Sequence, residues 1–149
     1  MYDRYNRNID YLRISVTDKC NLRCLYCMPE GGVPLLKHTD ILSYEEIAEI
    51  VRFVVNRGVN KIRLTGGEPL IRRDITTLVR MISEVEGVYD FSMTTNGILL
   101  EQYAKELVKA GLHRVNVSLD TLNADKFREI TRFGDVNTVI KGIYTATEA

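Results

Sequence analysis

All three cysteines of the 149-residue chain fall within one eight-residue stretch, Cys20-Asn21-Leu22-Arg23-Cys24-Leu25-Tyr26-Cys27. Thiolates are soft ligands, suited to iron–sulfur clusters and to zinc. Three of them leave a four-ligand centre one short, and an open position marks catalytic rather than structural metal sites. An odd number of closely set cysteines also argues against a disulfide scaffold. The thiols alone do not separate an iron–sulfur cluster from a zinc knuckle.

Three further clusters could do chemistry: Gly66-Gly67-Glu68-Pro69, Thr94-Thr95-Asn96-Gly97 and Ser118-Leu119-Asp120. Taken singly, Gly-Gly and Asn-Gly read as turns, and Ser-x-Asp reads as a cap for the next helix. Taken as a site, Gly66 and Gly67 let backbone groups approach a small zwitterion. Glu68 could accept from its ammonium group, or pair with Arg72 or Arg73. Thr94, Asn96 and Ser118 offer hydroxyl and amide groups for sugar hydroxyls or a carboxylate. Arg13 and Arg63 alternate with apolar neighbours. Because arginine binds phosphate bidentately, they point to a phosphorylated substrate, the alternative being arginines on an exposed edge. His38 and His113 have no partner at ligand spacing and read as surface residues.

The elements that must position these groups follow from periodicity. Residues 11–17 alternate with Leu12, Ile14 and Val16 on one face, predicting a strand that sends Arg13 and Ser15 to the other. Ser43-Tyr44-Glu45-Glu46 is a capping box ahead of a helical stripe, Ile47, Ile50, Val51 and Val54, which stops at Gly58. A strand over 60–65 comes next. Asp74 is the expected cap of a second helix with the stripe Leu78, Val79, Ile82 and Val85. A strand over 88–95, a third helix from Leu99 to a stop at Gly111, and a strand over 112–119 follow. Helices over 123–131 and 135–149 close the chain, and residues 1–10 read as a polar arm.

Strand and helix thus alternate, which predicts βα units and an α/β fold with a parallel sheet. Residues 1–149 read as one domain. Every polar cluster then falls at the C-terminal end of a strand, the edge where barrels and open α/β sheets bind ligands. With 20 basic and 20 acidic residues the net charge is zero, so no basic field argues for nucleic acid or an anionic membrane. No apolar run is long enough to span a bilayer, and the N-terminus lacks a signal core, so the expected location is cytoplasmic.

The spacing C-x3-C-x2-C with Tyr26 before the last cysteine resembles the signature loop of the radical S-adenosylmethionine enzymes. Residues 10–29, 63–74, 94–97 and 114–120 are together similar to one family within it, the GTP 3′,8-cyclases (molybdenum cofactor biosynthesis protein A). The resemblance implies a partial TIM-like radical SAM barrel of parallel βα units, of which four strands are present here. It implies a 4Fe-4S cluster on Cys20, Cys24 and Cys27, whose vacant iron takes S-adenosylmethionine. It also implies S-adenosylmethionine contacts from Tyr26, Gly67 and Ser118, and GTP contacts from Arg13, Arg63 and Thr94. The implied reaction is abstraction of the ribose C3′ hydrogen of GTP by a 5′-deoxyadenosyl radical, then attack on guanine C8 to give (8S)-3′,8-cyclo-7,8-dihydroguanosine 5′-triphosphate. The implied partners are an electron donor and the cyclic pyranopterin monophosphate synthase that consumes the product, and a homodimer is allowed.

Members of that family have six βα units and a second three-cysteine cluster, whereas this chain has four strands and no cysteine after Cys27. The expectation is therefore an N-terminal piece of a longer enzyme that is inactive and poorly soluble alone. Another radical SAM enzyme with a different substrate, or a non-catalytic metal-binding module, are the competing readings.

Overall fold

The computed structural model describes residues 2–149, the side chain of His38 excepted, so the surface placement expected of His38 lies outside the described residues. In chain order the elements are β1 (Tyr11–Ser15), α1 (Tyr44–Val55), β2 (Lys61–Thr65), α2 (Ile75–Ser83), β3 (Asp90–Thr95), α3 (Leu100–Lys109), β4 (Arg114–Val117), α4 (Ala124–Thr131) and α5 (Val136–Glu148). The strands form one parallel sheet, as the alternation predicts, and their order is β1-β2-β3-β4. The strands are shorter than the alternating segments suggest. Ladder-like bonds nevertheless continue past them: Val16 N–H reaches Thr65 O at 2.9 Å and Ser118 N–H reaches Thr95 O at 2.9 Å.

Sequential order has one consequence that governs the rest. Crossovers between parallel strands share one hand, so strands laid down in sequence place their helices on a single face of the sheet. Ile62, Leu64, Phe91 and Met93 point into that face and are fully buried. There they join one core with Ile47 and Val51 of α1, Leu78 and Ile82 of α2, and Leu100 and Leu107 of α3. A smaller cluster of Phe127, Val136 and Val139 joins α4 to α5. Among the described residues no helix packs on the opposite face, which carries the polar half of each strand's alternation.

Local signals work as their chemistry requires, with one exception. Ser43 Oγ accepts from Glu46 N–H at 3.1 Å and the Glu46 carboxylate accepts from Ser43 N–H at 2.7 Å, a complete capping box. Asn123 and Asp135 cap α4 and α5. Asp74 occupies the N-cap position of α2, but in left-handed backbone (φ 55°, ψ 32°) with no side-chain cap bond. Its carboxylate turns to Arg73 instead, at 3.3 Å. His113 is exposed as expected, though its Nδ1 accepts from Phe91 N–H at 3.1 Å.

Candidate functional site: the thiol loop and the helix-free face

The loop that follows β1 carries the cysteines and is fastened at both ends. Its stem lies against the turn after β2, where Gly67 N–H donates to Thr17 O and Glu68 N–H donates to Lys19 O, both at 2.8 Å. The two glycines permit that approach. A Cβ on Gly66, whose φ is +132°, would sit 2.3 Å from Thr17 O, and one on Gly67 would sit 2.1 Å from Lys19 O. The pair therefore makes room for the thiol loop's own backbone, in addition to any ligand.

The far end of the loop lies on the C-terminus of α4. Arg23 N–H donates to Thr131 O at 3.1 Å and Leu25 N–H donates to Ile130 O at 2.9 Å. Arg132 then donates from Nη1 to the carbonyls of Arg23 at 2.7 Å and Met28 at 3.2 Å. Within the loop, Cys24 O accepts from Cys27 N–H (2.9 Å) and Met28 N–H (3.1 Å), a turn that brings Cys27 back within reach of Cys24's charge. Tyr26, expected here on resemblance alone, is exposed, and its hydroxyl donates to Asp120 Oδ2 beyond β4 at 2.8 Å.

Cys20 and Cys24 are partly buried and Cys27 is exposed; all three are free thiols. Burial pushes the Cys20 and Cys24 thiols up from their ordinary value, and Cys24 also feels the charges of Cys27 and Cys20. Asn96 Nδ2 donates to Asn21 Oδ1 at 2.7 Å and points at Cys20 Sγ at 3.9 Å. Among the described residues no three His, Cys, Asp or Glu side chains close round a point where a single metal ion would sit. The donor set fits a cluster: three soft thiolates and no fourth, on one loop at the rim, within reach of one another's charge. A cavity of about 510 Å³ adjoins Cys20, lined in part by Lys19, Asn21, Arg23 and Met28.

Glu68 behaves differently from either role its sequence context suggests. It is fully buried, and its carboxylate accepts from Leu70 N–H (3.0 Å), Thr95 Oγ1 (2.8 Å) and Asn96 N–H (2.7 Å). Burial pushes its pKa up, and the three hydrogen bonds hold it partly down. No ligand ammonium reaches a group with no exposed surface. Nor does it pair with arginine: Arg72 donates to Val16 O and Leu42 O, at 2.6 Å each, and Arg73 sits on Asp74. Glu68 instead ties the end of β2 to the end of β3.

The helix-free face carries the substrate candidates in rows set by strand register. Arg13 is level with Arg63, Arg63 with Ser92, and Ser92 with Arg114. Thr94, level with Asn116, stands two residues nearer the rim. Arg114 forms a two-pronged pair with Asp90, at 3.0 and 2.6 Å, which holds the Asp90 carboxyl below the usual carboxylate range. Arg63, half-buried, donates to Ser92 Oγ at 3.1 Å and lies 5.6 Å from the Tyr11 ring centroid. Arg13 is exposed on β1, and among the described residues its guanidinium has no partner. The Thr94 and Ser118 side chains likewise stand without hydrogen-bond partners there.

Structure thus gathers Cys20, Cys24, Cys27, Tyr26, Gly67 and Ser118 at the rim, and Arg13, Arg63 and Thr94 on the face that leads down from it. Two participants escaped sequence reading. Asp120 was legible only as part of a cap, and Arg132 had no signal beyond lying after a helix.

The Radical SAM superfamily matches residues 14–149. The GTP 3′,8-cyclase of Thermodesulfovibrio yellowstonii is 57% identical over 150 residues, covering 100% of this chain and 47% of that protein. That of Peptoclostridium acidaminophilum is 55% identical over 146 residues, covering 98% of this chain and 45% of that one. The chain therefore spans about half the length of the curated relatives it matches. Among solved structures, Streptococcus suis SuiB bound to precursor peptide SuiA superposes with TM-score 0.77 at 22% identity, over 93% of this chain and 30% of that one. SuiB bound to S-adenosylmethionine gives 0.71 at 23% identity over the same shares.

Proposed function

The chain belongs to the radical SAM superfamily, and from that premise we propose that it is the N-terminal part of the barrel domain of a GTP 3′,8-cyclase of molybdenum cofactor biosynthesis. Cys20, Cys24 and Cys27 hold a 4Fe-4S cluster. Bound there, such a cluster would supply one-electron chemistry toward S-adenosylmethionine, and with it a radical route to an unactivated C–H bond.

The chain's own residues do the placing. Gly67, whose N–H is already given to Thr17, offers its carbonyl oxygen to the cofactor's ammonium group, the role that buried Glu68 does not fill. Ser118 offers a free hydroxyl from the end of β4. Tyr26 presents its ring at the rim, with its hydroxyl steadied by Asp120. The Arg13 and Arg63 guanidiniums take the triphosphate of GTP, and the Thr94 hydroxyl lies between phosphate and rim, where the ribose must stand for its C3′ hydrogen to be reached. The remaining strands and a second cluster complete the site in the whole protein. Its product, (8S)-3′,8-cyclo-7,8-dihydroguanosine 5′-triphosphate, passes to cyclic pyranopterin monophosphate synthase. The setting is cytoplasmic, with an electron donor for the cluster. No helix among the described residues is long and apolar enough to cross a membrane.

One observation carries this reading. Two guanidiniums stand level on neighbouring strands of a helix-free face, and among the described residues neither is ion-paired to a carboxylate. Adjacent like charges cost stability unless a polyanion joins them. The test uses the full-length protein, reconstituted anaerobically, with GTP deuterated at C3′. Deuterium should appear in 5′-deoxyadenosine together with a cyclised nucleotide. Cofactor cleavage with no transfer from GTP would overturn the assignment and leave a radical SAM protein of another substrate.

A further inference from the structure

We propose that Arg132 is a positioning residue for the thiols: its guanidinium bridges the carbonyls of Arg23 and Met28, and so fixes the span of chain that carries Cys24 and Cys27. This rests on the reading that those thiols bind a cluster.

The contacts bracket the two cysteines. Nη1 of Arg132 lies 2.7 Å from Arg23 O, the residue before Cys24, and 3.2 Å from Met28 O, the residue after Cys27. Arg23 in turn holds the other side of the loop, donating from its Nη1 to Cys20 O at 2.7 Å and to Leu22 O at 2.9 Å. Two guanidiniums thus fasten backbone next to all three thiols. Among the described residues no carboxylate is paired with Arg132. Its hydrogen bonds go to neutral carbonyls, so what it contributes is geometry rather than neutralisation.

Helix α4 is built to serve this contact. The last carbonyls of a helix lack intrahelical donors and are usually met by water or by a glycine turn. Here Ile130 O and Thr131 O are taken by Leu25 N–H and Arg23 N–H of the thiol loop. Arg132 then leaves the helix at φ 66°, ψ −38°, a conformation that suits glycine and strains an arginine. A glycine would end the helix at less strain but would lack the guanidinium that reaches back. Loops are otherwise the mobile parts of a fold, and three thiols can share one cluster only at fixed separations.

The test compares Arg132→Gly, Arg132→Gln and Arg132→Lys in the full-length protein, with three readouts: melting of the apoprotein, amide exchange at Leu25 and Met28, and the rate at which reconstituted iron is lost to a chelator. Arg132→Gly should melt no lower than the parent, because the strain goes, yet exchange at both amides and iron loss should each rise about tenfold. Arg132→Gln should show the same loosening without the relief of strain. Arg132→Lys, able to reach one carbonyl, should fall between. Unchanged exchange and iron retention in the Gly and Gln proteins would overturn the proposal. So would a fall in melting temperature with exchange rising equally over the whole chain, the sign of an ordinary helix stop. If the parent itself takes up no iron, the cluster reading fails, and amide exchange alone decides whether Arg132 orders the loop.

Discussion

The rim and the helix-free face belong to the same four strands, yet they handle charge in opposite ways. At the rim, Glu68 is fully buried and its oxygens are committed to Leu70, Thr95 and Asn96. On the face, Arg13 has no partner among the described residues, and Arg63 has a serine hydroxyl, an aromatic ring and a longer-range pull from Asp90, with no ion pair. The rim is assembled from backbone meeting backbone, so its charge serves construction. The face keeps its one ion pair, Asp90 with Arg114, at the β3–β4 side, and leaves the β1–β2 guanidiniums without a carboxylate partner among the described residues, so their charge is available to a ligand. A charged residue near a site is therefore informative by what it lacks. Saturation marks scaffold, and vacancy marks binding.

The largest effect should come from disturbing the backbone seam of the rim. A Gly67→Ala side chain would place its Cβ 2.1 Å from Lys19 O, and backbone cannot step aside as a flexible side chain can. Full-length Gly67→Ala should lose about 3 kcal/mol or more in denaturant unfolding and bind little iron. Near-parental stability would show that the seam is softer than its contacts imply. Glu68→Gln comes next. The amide would turn a donor toward either Asn96 N–H or the Leu70 and Thr95 donors, leaving at least one buried group unmet at about 1–3 kcal/mol. If GTP affinity fell while stability held, Glu68 would belong with the ligand-binding charges and the contrast between the two regions would break.

The face should answer in the opposite sense. Arg13→Ala and Arg63→Ala should each weaken GTP binding about 10- to 100-fold in equilibrium titration of the full-length protein, with the ligand-free melting temperature level or slightly raised as the like-charged neighbour goes. The sharper comparison is Arg63→Lys, which keeps the charge and loses the planar fork; it should recover only part of the affinity. Full recovery would mean that the face supplies a field rather than a bidentate grip.

Much of this was legible beforehand, because short-range patterns carried it. Alternation at Leu12, Ile14 and Val16 gave β1 and sent Arg13 to the other face, and Ser43 with Glu46 gave the start of α1. The cysteine spacing and the glycine-rich turns placed the rim. What the sequence hid depends on contacts between distant residues. Asp74 looks like a helix cap, but it stands in left-handed backbone with its carboxylate on Arg73. Glu68 looks like a ligand until the end of β3 supplies its donors. Arg132 carries no local signature, since the loop it holds lies 104 to 109 positions earlier. The free state of Arg13 was equally hidden, because a missing partner has no pattern.

The smallest expected effect lies at the foot of the face, where the charges are paired but wet. Asp90 meets Arg114 through two hydrogen bonds, and that contact, above the effects of partial burial and of Arg63, holds its carboxyl below the ordinary value near 3.8. A carboxyl depressed in the folded state adds stability above its unfolded pKa and loses that stability as pH falls through its folded pKa. Asp90→Asn should therefore cost about 0.2–1 kcal/mol at neutral pH, as expected of a solvent-exposed pair, with the deficit closing as the solution is taken well below pH 3.8. High salt should shrink it as well. Arg13→Ala serves as the control in the same series, since a guanidinium with no carboxylate has no such window to lose. An equal acid-dependent deficit in that variant would mean that Arg13 is paired in solution, and the row would then be scaffold like the rim above it.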